Sequence, residues 1–298
     1  MKTLILALVA LSSLIFLTGC ENSHAATAQN IEEKLYGSVT IAGSTSLQPL
    51  ADAAGFAFMQ KHPDVQVAVS GGGSGFGLSQ VQEGSLDIGN SNFYTAERGI
   101  DDPSLINHRV AVVGFAPVVH NGVSKSVRNL ARHELIGIFT GTITNWSEVG
   151  GEDQPIHVIH RAYSSGARAN FERWGLDNAT VIAGQEQDSA GAVRQLVAQT
   201  PGAISYLPFS YLDDSTTALL IDHIAPTLSN VRTNRWRIWA YQHMYTNERF
   251  PNPIADDFIN FLLTDEIQET IVIPLGYLPI NQMLITRDAA GDITELGE

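Results

Sequence analysis

Short apolar runs alternate along the chain with glycine-containing turns and with segments of helical spacing. Val39–Ala42 and Val65–Val69 are apolar runs of strand length, and each is followed by a turn rich in glycine and serine. After the first turn, Leu50, Ala54 and Phe58 recur at the spacing of one helix face. Strands that alternate with helices predict an α/β fold, with a parallel-rich sheet and helices on both faces.

The same pattern predicts two lobes. The stretch from Arg109 to His120 is long and apolar for a single strand, and we interpret it as a strand that leaves one lobe and enters the other. A return crossing is predicted near residues 238–245. We therefore expect residues 36–114 plus 238–298 to form lobe I and residues 115–237 to form lobe II. Ligands of such sheets bind beyond the carboxyl ends of the strands, which places a cleft between the lobes.

The first 35 residues are expected to lie outside this fold. An apolar stretch over residues 3–17 follows a lysine and is too short to span a membrane, as is typical of a signal peptide. It ends in the motif LTGC, which resembles a bacterial lipobox, and Cys20 is the single cysteine of the chain. We predict a lipoprotein signal peptide over residues 1–20, lipid attachment at Cys20 and a flexible tether over residues 21–35. An ordinary signal peptide with an incidental cysteine is the alternative.

Composition narrows the possible functions. The chain has 298 residues and a net charge of −14, which excludes a nucleic-acid-binding surface because phosphate backbones require a basic face. One cysteine permits neither an internal disulfide nor a cysteine metal site. The sequence lacks a nucleotide P-loop, an intact nucleophile elbow and the zinc motif His-Glu-x-x-His. These patterns predict a monomer that is not an enzyme and carries no cofactor or metal.

Three turns that lead from a strand into a helix have the chemistry of an anion site. They cover residues 42–46, 71–75 and 161–168, and in the second of them Ser74 is predicted to cap the helix. Free N–H groups at helix N-termini attract anions, and serine or threonine hydroxyls add donors. Each turn alone is better explained by capping and turn chemistry. Together, divided between two predicted lobes, they favour an anion clamped between lobes, with Arg161 as its cation and Arg168 as second choice.

Once these turns are placed, the chain resembles the phosphate-binding protein of the bacterial high-affinity phosphate ABC importer, the PstS family. The resemblance covers nearly the whole chain after the tether. It is carried by GSTSLQPL (43–50), GGGSGFGLSQVQEGSLDIGNS (71–91), IFTGTITNWSEVGG (138–151), TPGAISYLP (200–208) and WAYQHMYT (239–246). It implies a class II periplasmic-binding-protein fold. It also implies a lipid-anchored extracytoplasmic protein that captures inorganic phosphate for a membrane permease driven by a separate ATPase.

The resemblance also implies a set of phosphate-binding residues. The family's ligand contacts fall on Thr45, Ser46, Ser74, Asp87, Arg161, Ser165, Gly166 and Ala167, and we include Ser44 because it belongs to the same first turn. The chain departs from the family pattern at three positions. Ala167 replaces a threonine, Tyr163 stands where some members have an acid, and Asn92 stands where many have a second aspartate.

Asp87 has a predicted role in selectivity. Near neutral pH phosphate keeps a proton that a carboxylate can accept, whereas sulfate has none and is repelled. A strand-end acid in solvent is the alternative for Asp87. At the level of function, the alternatives are a binder of sulfate, molybdate or tungstate on the same fold, a hydrolase of phosphate esters, and a sensor of phosphate.

Overall fold

The computed structural model describes residues Lys34–Leu296, and from Leu35 onward the chain forms one compact unit. The predicted signal peptide, Cys20 and most of the tether lie outside the described residues. The strands are β1 Gly37–Gly43, β2 Val65–Gly72, β3 Ile88–Ser91, β4 Leu105–His120, β5 Asn129–Leu130, β6 His157–Arg161, β7 Gln185–Gln187, β8 Ala203–Pro208, β9 Thr216–Ala218, β10 Leu220–Ile221, β11 Trp239–Asn247, β12 Ile285–Arg287 and β13 Ile293–Glu295. The α-helices are α1 Gln48–Lys61, α2 Ser74–Gln82, α3 Arg132–Thr140, α4 Gly166–Gly175, α5 Ala190–Gln199, α6 Leu228–Arg232, α7 Pro253–Leu262 and α8 Asp265–Ile267.

The main sheet confirms the predicted α/β class. Its strands follow the order β2-β1-β3-β11-β4-β8-β6-β7, with β9 paired to β4. β1 is parallel to β2 and β3, and β6 is parallel to β7 and β8, whereas β11 and β4 run antiparallel to their neighbours. Parallel units therefore occupy both ends of the sheet, and two long antiparallel strands join them in the middle.

The long strand β4 changes its partners part-way along. It pairs with β11 from Leu105 to Gly114 and with β8 from Phe115 to Val119. We call β2, β1, β3, β11 and the first part of β4 the first half of the sheet, and the remainder the second half. This is the place where sequence analysis put the boundary between lobes. The division into lobes stays a prediction, because the two halves form one compact unit.

Helices cover both faces of the second half, as strand alternation requires. On β8, Ala203 and Leu207 belong to an apolar cluster that also includes Val193 of α5. Tyr206 points to the other face and stacks on Phe171 of α4, with ring centroids 4.2 Å apart. Successive strand residues point to opposite faces, so one strand anchors helices on both. This packing fixes the N-terminal end of α4 at the edge of the sheet.

Each of the three turns identified in the sequence joins the carboxyl end of a strand to a helix. They connect β1 to α1, β2 to α2, and β6 to α4. Gly73 precedes α2 with φ of 86°, a left-handed conformation in which a side chain is strained. No helix within Lys34–Leu296 is long and apolar enough to span a membrane.

Candidate anion-binding site

The turn between β1 and α1 places three hydroxyl residues in the interior. Ser44, Thr45 and Ser46 are all at most 4% exposed. Ser44 Oγ accepts a hydrogen bond from the Ser46 N–H (3.2 Å), and the Ser46 carbonyl accepts one from Tyr277 Oη (2.6 Å). Ser46 Oγ is buried without a hydrogen-bond partner in the described part of the chain. The turn is thus fixed by its backbone, and a hydroxyl remains available to a ligand.

The turn between β2 and α2 differs from the prediction at Ser74. Gly73 occupies the capping position, and Ser74 is the first residue of α2 with no capping bond of its own. Its side chain instead accepts a hydrogen bond from the Asn92 N–H at 3.0 Å. Ser74 is fully buried. Its hydroxyl proton is not used by that bond and can be donated to an anion.

The turn between β6 and α4 brings a helix N-terminus to the same place. Ser165 caps α4, because its Oγ accepts from the Arg168 N–H at 3.4 Å. Gly166 and Ala167 occupy the first turn of the helix, where N–H groups have no carbonyl partner within the helix. A Cβ atom on Gly166 would stand 2.7 Å from Asn92 Cβ. The third turn therefore lies directly against the first half of the sheet.

Arg161, which is predicted to be the cation of the site, is buried at the end of β6. Its side chain is 2% exposed, although it carries a charge. Nε donates to the Gln187 carbonyl (3.2 Å) and Nη2 donates to the Asp188 carbonyl (2.8 Å). Burial lowers the pKa of the Arg161 guanidinium below its usual value, yet arginine remains protonated in proteins. Neither of these bonds uses Nη1 or a carboxylate oxygen, so Nη1 remains a donor for an anion, although the negative charge of Asp188 also acts on the guanidinium.

Arg168, the second choice, has its charge balanced by other residues. Nε donates to Glu172 at 2.7 Å, and Nη1 donates to Glu186 at 2.6 Å. Nη1 also donates to the Arg161 carbonyl at 2.8 Å. Two carboxylates around one guanidinium leave no net positive charge at this point. Arg168 therefore positions Arg161 through its backbone rather than serving as the main cation.

Hydrogen bonds connect the two halves of the sheet around these turns. The Gly75 N–H donates to the Ser164 carbonyl at 3.2 Å, and the Ala190 N–H donates to Thr45 Oγ1 at 3.3 Å. Arg173 of α4 forms an ion pair with Glu97, which lies in a 3₁₀ turn after β3. The turns from both halves are therefore held against one another by direct contacts.

The structure corrects the prediction for Asp87. This residue lies just before β3, at the end of the strand opposite to the three turns. One carboxylate oxygen accepts from the Thr40 N–H and hydroxyl, both at 2.7 Å, and the other accepts from Asn252 Nδ2 at 2.9 Å. The four residues of β3 separate Asp87 from Asn92. The two positions are five steps apart along the chain, or about 16 Å at the rise of an extended strand. Asp87 stabilises the sheet and does not contact the predicted anion.

Two residues of the site were not selected from the sequence. Asn92 was noted as a departure from the family pattern, but it follows β3 at the carboxyl edge, is hydrogen-bonded to Ser44 and Ser74, and lies beside Gly166. Asn170 of α4 donates through Nδ2 to the Asn92 carbonyl at 2.6 Å and to the Gly166 carbonyl at 2.9 Å. The position after a third parallel strand was a usable signal for Asn92. No sequence signal identified Asn170, because polar residues are common on helices.

The described residues hold no group of three or more His, Cys, Asp or Glu side chains that could bind a metal ion. Apart from Asp87, the predicted site residues lie on turns that contact one another, and they present hydrogen-bond donors there. Their direct contact with a ligand remains a prediction.

Comparisons with known proteins agree with this geometry. Residues 28–266 match the family model described as the PBP superfamily domain. Among proteins of known name, the phosphate-binding protein PstS of Bacillus subtilis (strain 168) is 44% identical over 295 residues, which cover 97% of this chain and 97% of that protein. The similarity therefore runs through both halves of the sheet and is not confined to one motif.

Solved structures show the same architecture. A phosphate ABC transporter substrate-binding protein from Clostridium perfringens, determined with bound phosphate, aligns with a TM-score of 0.75 and 31% identity over 82% of this chain and 100% of its own. An ABC-type phosphate transport receptor from Vibrio cholerae aligns with a TM-score of 0.65 and 29% identity, covering 80% of this chain and 99% of its own. The chain therefore belongs to the PBP superfamily and, within it, to the PstS family of phosphate-binding proteins.

Proposed function

We propose that this protein is an extracytoplasmic solute-binding protein that captures inorganic phosphate between the two halves of its sheet. The observation that carries the proposal is that three strand-to-helix turns lie against one another and that one of them begins with the buried guanidinium of Arg161. Hydroxyls and helix N-termini arranged in this way match the oxygens of a tetrahedral anion. The names of its relatives, which include a phosphate-bound structure, support phosphate as that anion.

The acidic composition does not oppose this function. Surface charges are screened beyond about 8–10 Å at physiological ionic strength, whereas buried donors act on the anion without screening. The net charge of −14 is spread over the whole chain. The nearby dipoles and Arg161 therefore determine binding, and the overall charge mainly affects the rate of encounter.

The family also suggests how the protein works with others. In this proposal, residues 36–114 plus 238–298 and residues 115–237 act as two lobes that close on phosphate. The monomeric protein then delivers phosphate to a membrane permease that is driven by a separate ATPase. It is a binding protein and not an enzyme, because the converging side chains include neither an activated nucleophile nor a general base.

The test is calorimetric titration of the purified protein with phosphate. We expect saturable binding with one phosphate per chain. Turnover of a chromogenic phosphate ester, measured on the same sample, distinguishes a binding protein from a hydrolase. A flat titration, or ester hydrolysis at an enzymatic rate, would contradict the proposal.

We also propose that the protein lies outside the cytoplasm, in the periplasm or at the cell surface, and is anchored to a membrane through lipid on Cys20. The lipobox-like motif supports this anchor, and so does the position of the single cysteine at its end. We expect Cys20→Ala to remove the anchor, because no other thiol is present to carry the lipid. Cell fractionation and mass spectrometry measure the change. A variant that stays in the membrane fraction with unchanged mass would show that Cys20 is not the attachment site.

A further inference from the structure

Asn92 occupies the point at which the two halves of the sheet meet. Its N–H donates to Ser74 Oγ at 3.0 Å, and its carbonyl accepts from Asn170 Nδ2 at 2.6 Å. These bonds come from α2 in the first half and α4 in the second. The residue is 2% exposed. Its backbone is therefore fixed from both sides, and its side chain has little freedom to move away.

A hydrogen-bond chain orients the Asn92 side chain. Ser44 Oγ accepts the N–H of Ser46 and donates its only hydroxyl proton to Asn92 Oδ1. The amide oxygen is thus used within the protein. The amide nitrogen, Nδ2, is buried and has no hydrogen-bond partner among the residues described. Buried donors are almost always paired in proteins, so Nδ2 indicates a ligand acceptor at this point.

The surroundings of Asn92 offer donors and no competing acid. Within the described chain, no carboxylate oxygen is hydrogen-bonded to Asn92 or to the side chains of Ser44, Ser46 and Ser74. Among the acidic residues around Arg161, Glu172 and Glu186 pair with Arg168, and Glu97 pairs with Arg173. Asp188 accepts from Arg161 through its carbonyl, and its negative charge also acts on the Arg161 guanidinium. Asp87 lies at the far end of β3. Among the described residues, no carboxylate is therefore bonded at the Asn92 amide to accept a proton carried by the ligand at this point.

We propose that Asn92 sets the oxyanion selectivity of the cleft by donating Nδ2–H to an oxygen of the bound anion. The inference rests on the proposed phosphate-binding function and adds to it. Near neutral pH phosphate carries at least one O–H, and a carboxylate acceptor would reward that proton and repel sulfate. An amide donor is satisfied by a deprotonated oxygen of either anion. The cleft therefore admits sulfate in competition with phosphate.

The first test uses the unaltered protein. Phosphate is titrated calorimetrically in the absence and presence of sulfate, at fixed pH and ionic strength. We expect sulfate to compete, with a dissociation constant within about a hundredfold of that for phosphate. If phosphate binds and the dissociation constant for sulfate is more than about a hundredfold larger than that for phosphate, the inference is overturned while the phosphate-binding function stands. If phosphate itself does not bind, the proposed function fails.

The second test is the substitution Asn92→Asp. One carboxylate oxygen can keep the bond from Ser44, and the other then faces the anion as an acceptor. We expect the ratio of the sulfate to the phosphate dissociation constant to rise at least about tenfold, because only sulfate has no proton to offer. An unchanged ratio in a folded variant overturns the role of Asn92.

The control is Gln60→Glu, which adds the same charge on an exposed position near the end of α1. It lies about 18 Å along the helix from the first turn, at a rise of 1.5 Å per residue. We expect its selectivity to match that of the unaltered protein. Thermal unfolding shows whether each variant folds. If Asn92→Asp does not, competition in the unaltered protein decides the inference.

Discussion

Replacing Arg161 with alanine is expected to cause the largest loss of phosphate affinity of any single change in the site. Truncating one side of a buried charge pair costs about 2–5 kcal/mol, which corresponds to between about thirtyfold and a few thousandfold in the dissociation constant. Arg161 is 2% exposed and its charge is not balanced by a carboxylate bond. The bound anion is therefore its counter-charge, and calorimetric titration measures the loss.

Arg194→Ala provides the matched control for this experiment. Arg194 also carries a positive charge in the second half of the sheet, but it is 37% exposed and pairs with Asp213 at 2.9 Å. Exposed ion pairs contribute little, so phosphate affinity should stay within about threefold of the unaltered protein. Arg161 also supports the carbonyls that precede α5, and thermal unfolding checks that its removal leaves the fold intact. A loss below tenfold in folded Arg161→Ala would mean that this arginine does not contact the anion.

Sequence reasoning was most successful where local chemistry and topology agree. A parallel strand that is followed by glycine and serine and then by a helix with an apolar face predicts a turn at the carboxyl edge of the sheet. The turns at Ser44–Ser46 and Arg161–Ala167 were therefore placed correctly from the pattern alone. The switch of β4 between partners also follows from its length, because 16 residues exceed what one half of the sheet requires.

Sequence reasoning failed where a one-dimensional pattern does not define the end of a strand. Asp87 and Asn92 flank the same short strand, and either could be read as its polar terminus. The strand runs from Ile88 to Ser91, so Asp87 precedes it and Asn92 follows it. Because β3 is parallel to β1, only the residue after it reaches the edge that carries the turns. The direction of a strand, and not the charge of its flanking residue, decides which residue meets the ligand.

Residues that reach the site only because the two halves of the sheet pack together could not be predicted from the sequence either. Asn170 and Ala190 reach the site only because the second half of the sheet packs against the first. Their contacts span from 78 to 145 positions along the chain, so no local pattern indicates them. Gly166 belongs to the same group, because its role depends on Ser74 and Asn92, which lie opposite it in the first half of the sheet.

Gly166→Ala is expected to hinder closure of the two halves while leaving each half folded. The added Cβ would clash with Ser74 Oγ and stand 2.7 Å from Asn92 Cβ and 3.1 Å from Ser74 Cβ. A hydroxyl can rotate away, but these two Cβ atoms are attached to backbone that is hydrogen-bonded on both sides. Overpacking of this kind costs about 1–3 kcal/mol, which weakens phosphate binding by about 5- to 150-fold. Alanine favours a helix over glycine, so α4 itself is not weakened.

The matched control for Gly166→Ala is Gly191→Ala, at the second position of α5. There the added Cβ would meet only Tyr211 Cε1, at an ordinary contact distance of 3.8 Å. Both variants make the same chemical change in the first turn of a helix in the second half, so they differ only in what faces the new methyl group. Small-angle scattering with and without phosphate measures closure, and calorimetry measures affinity. We expect Gly191→Ala to compact and bind like the unaltered protein, and Gly166→Ala to do both less well. If Gly166→Ala compacts and binds normally, α4 does not approach Ser74 and Asn92 in the phosphate-bound protein. The packing of Gly166 against these two residues is then not that of the bound state.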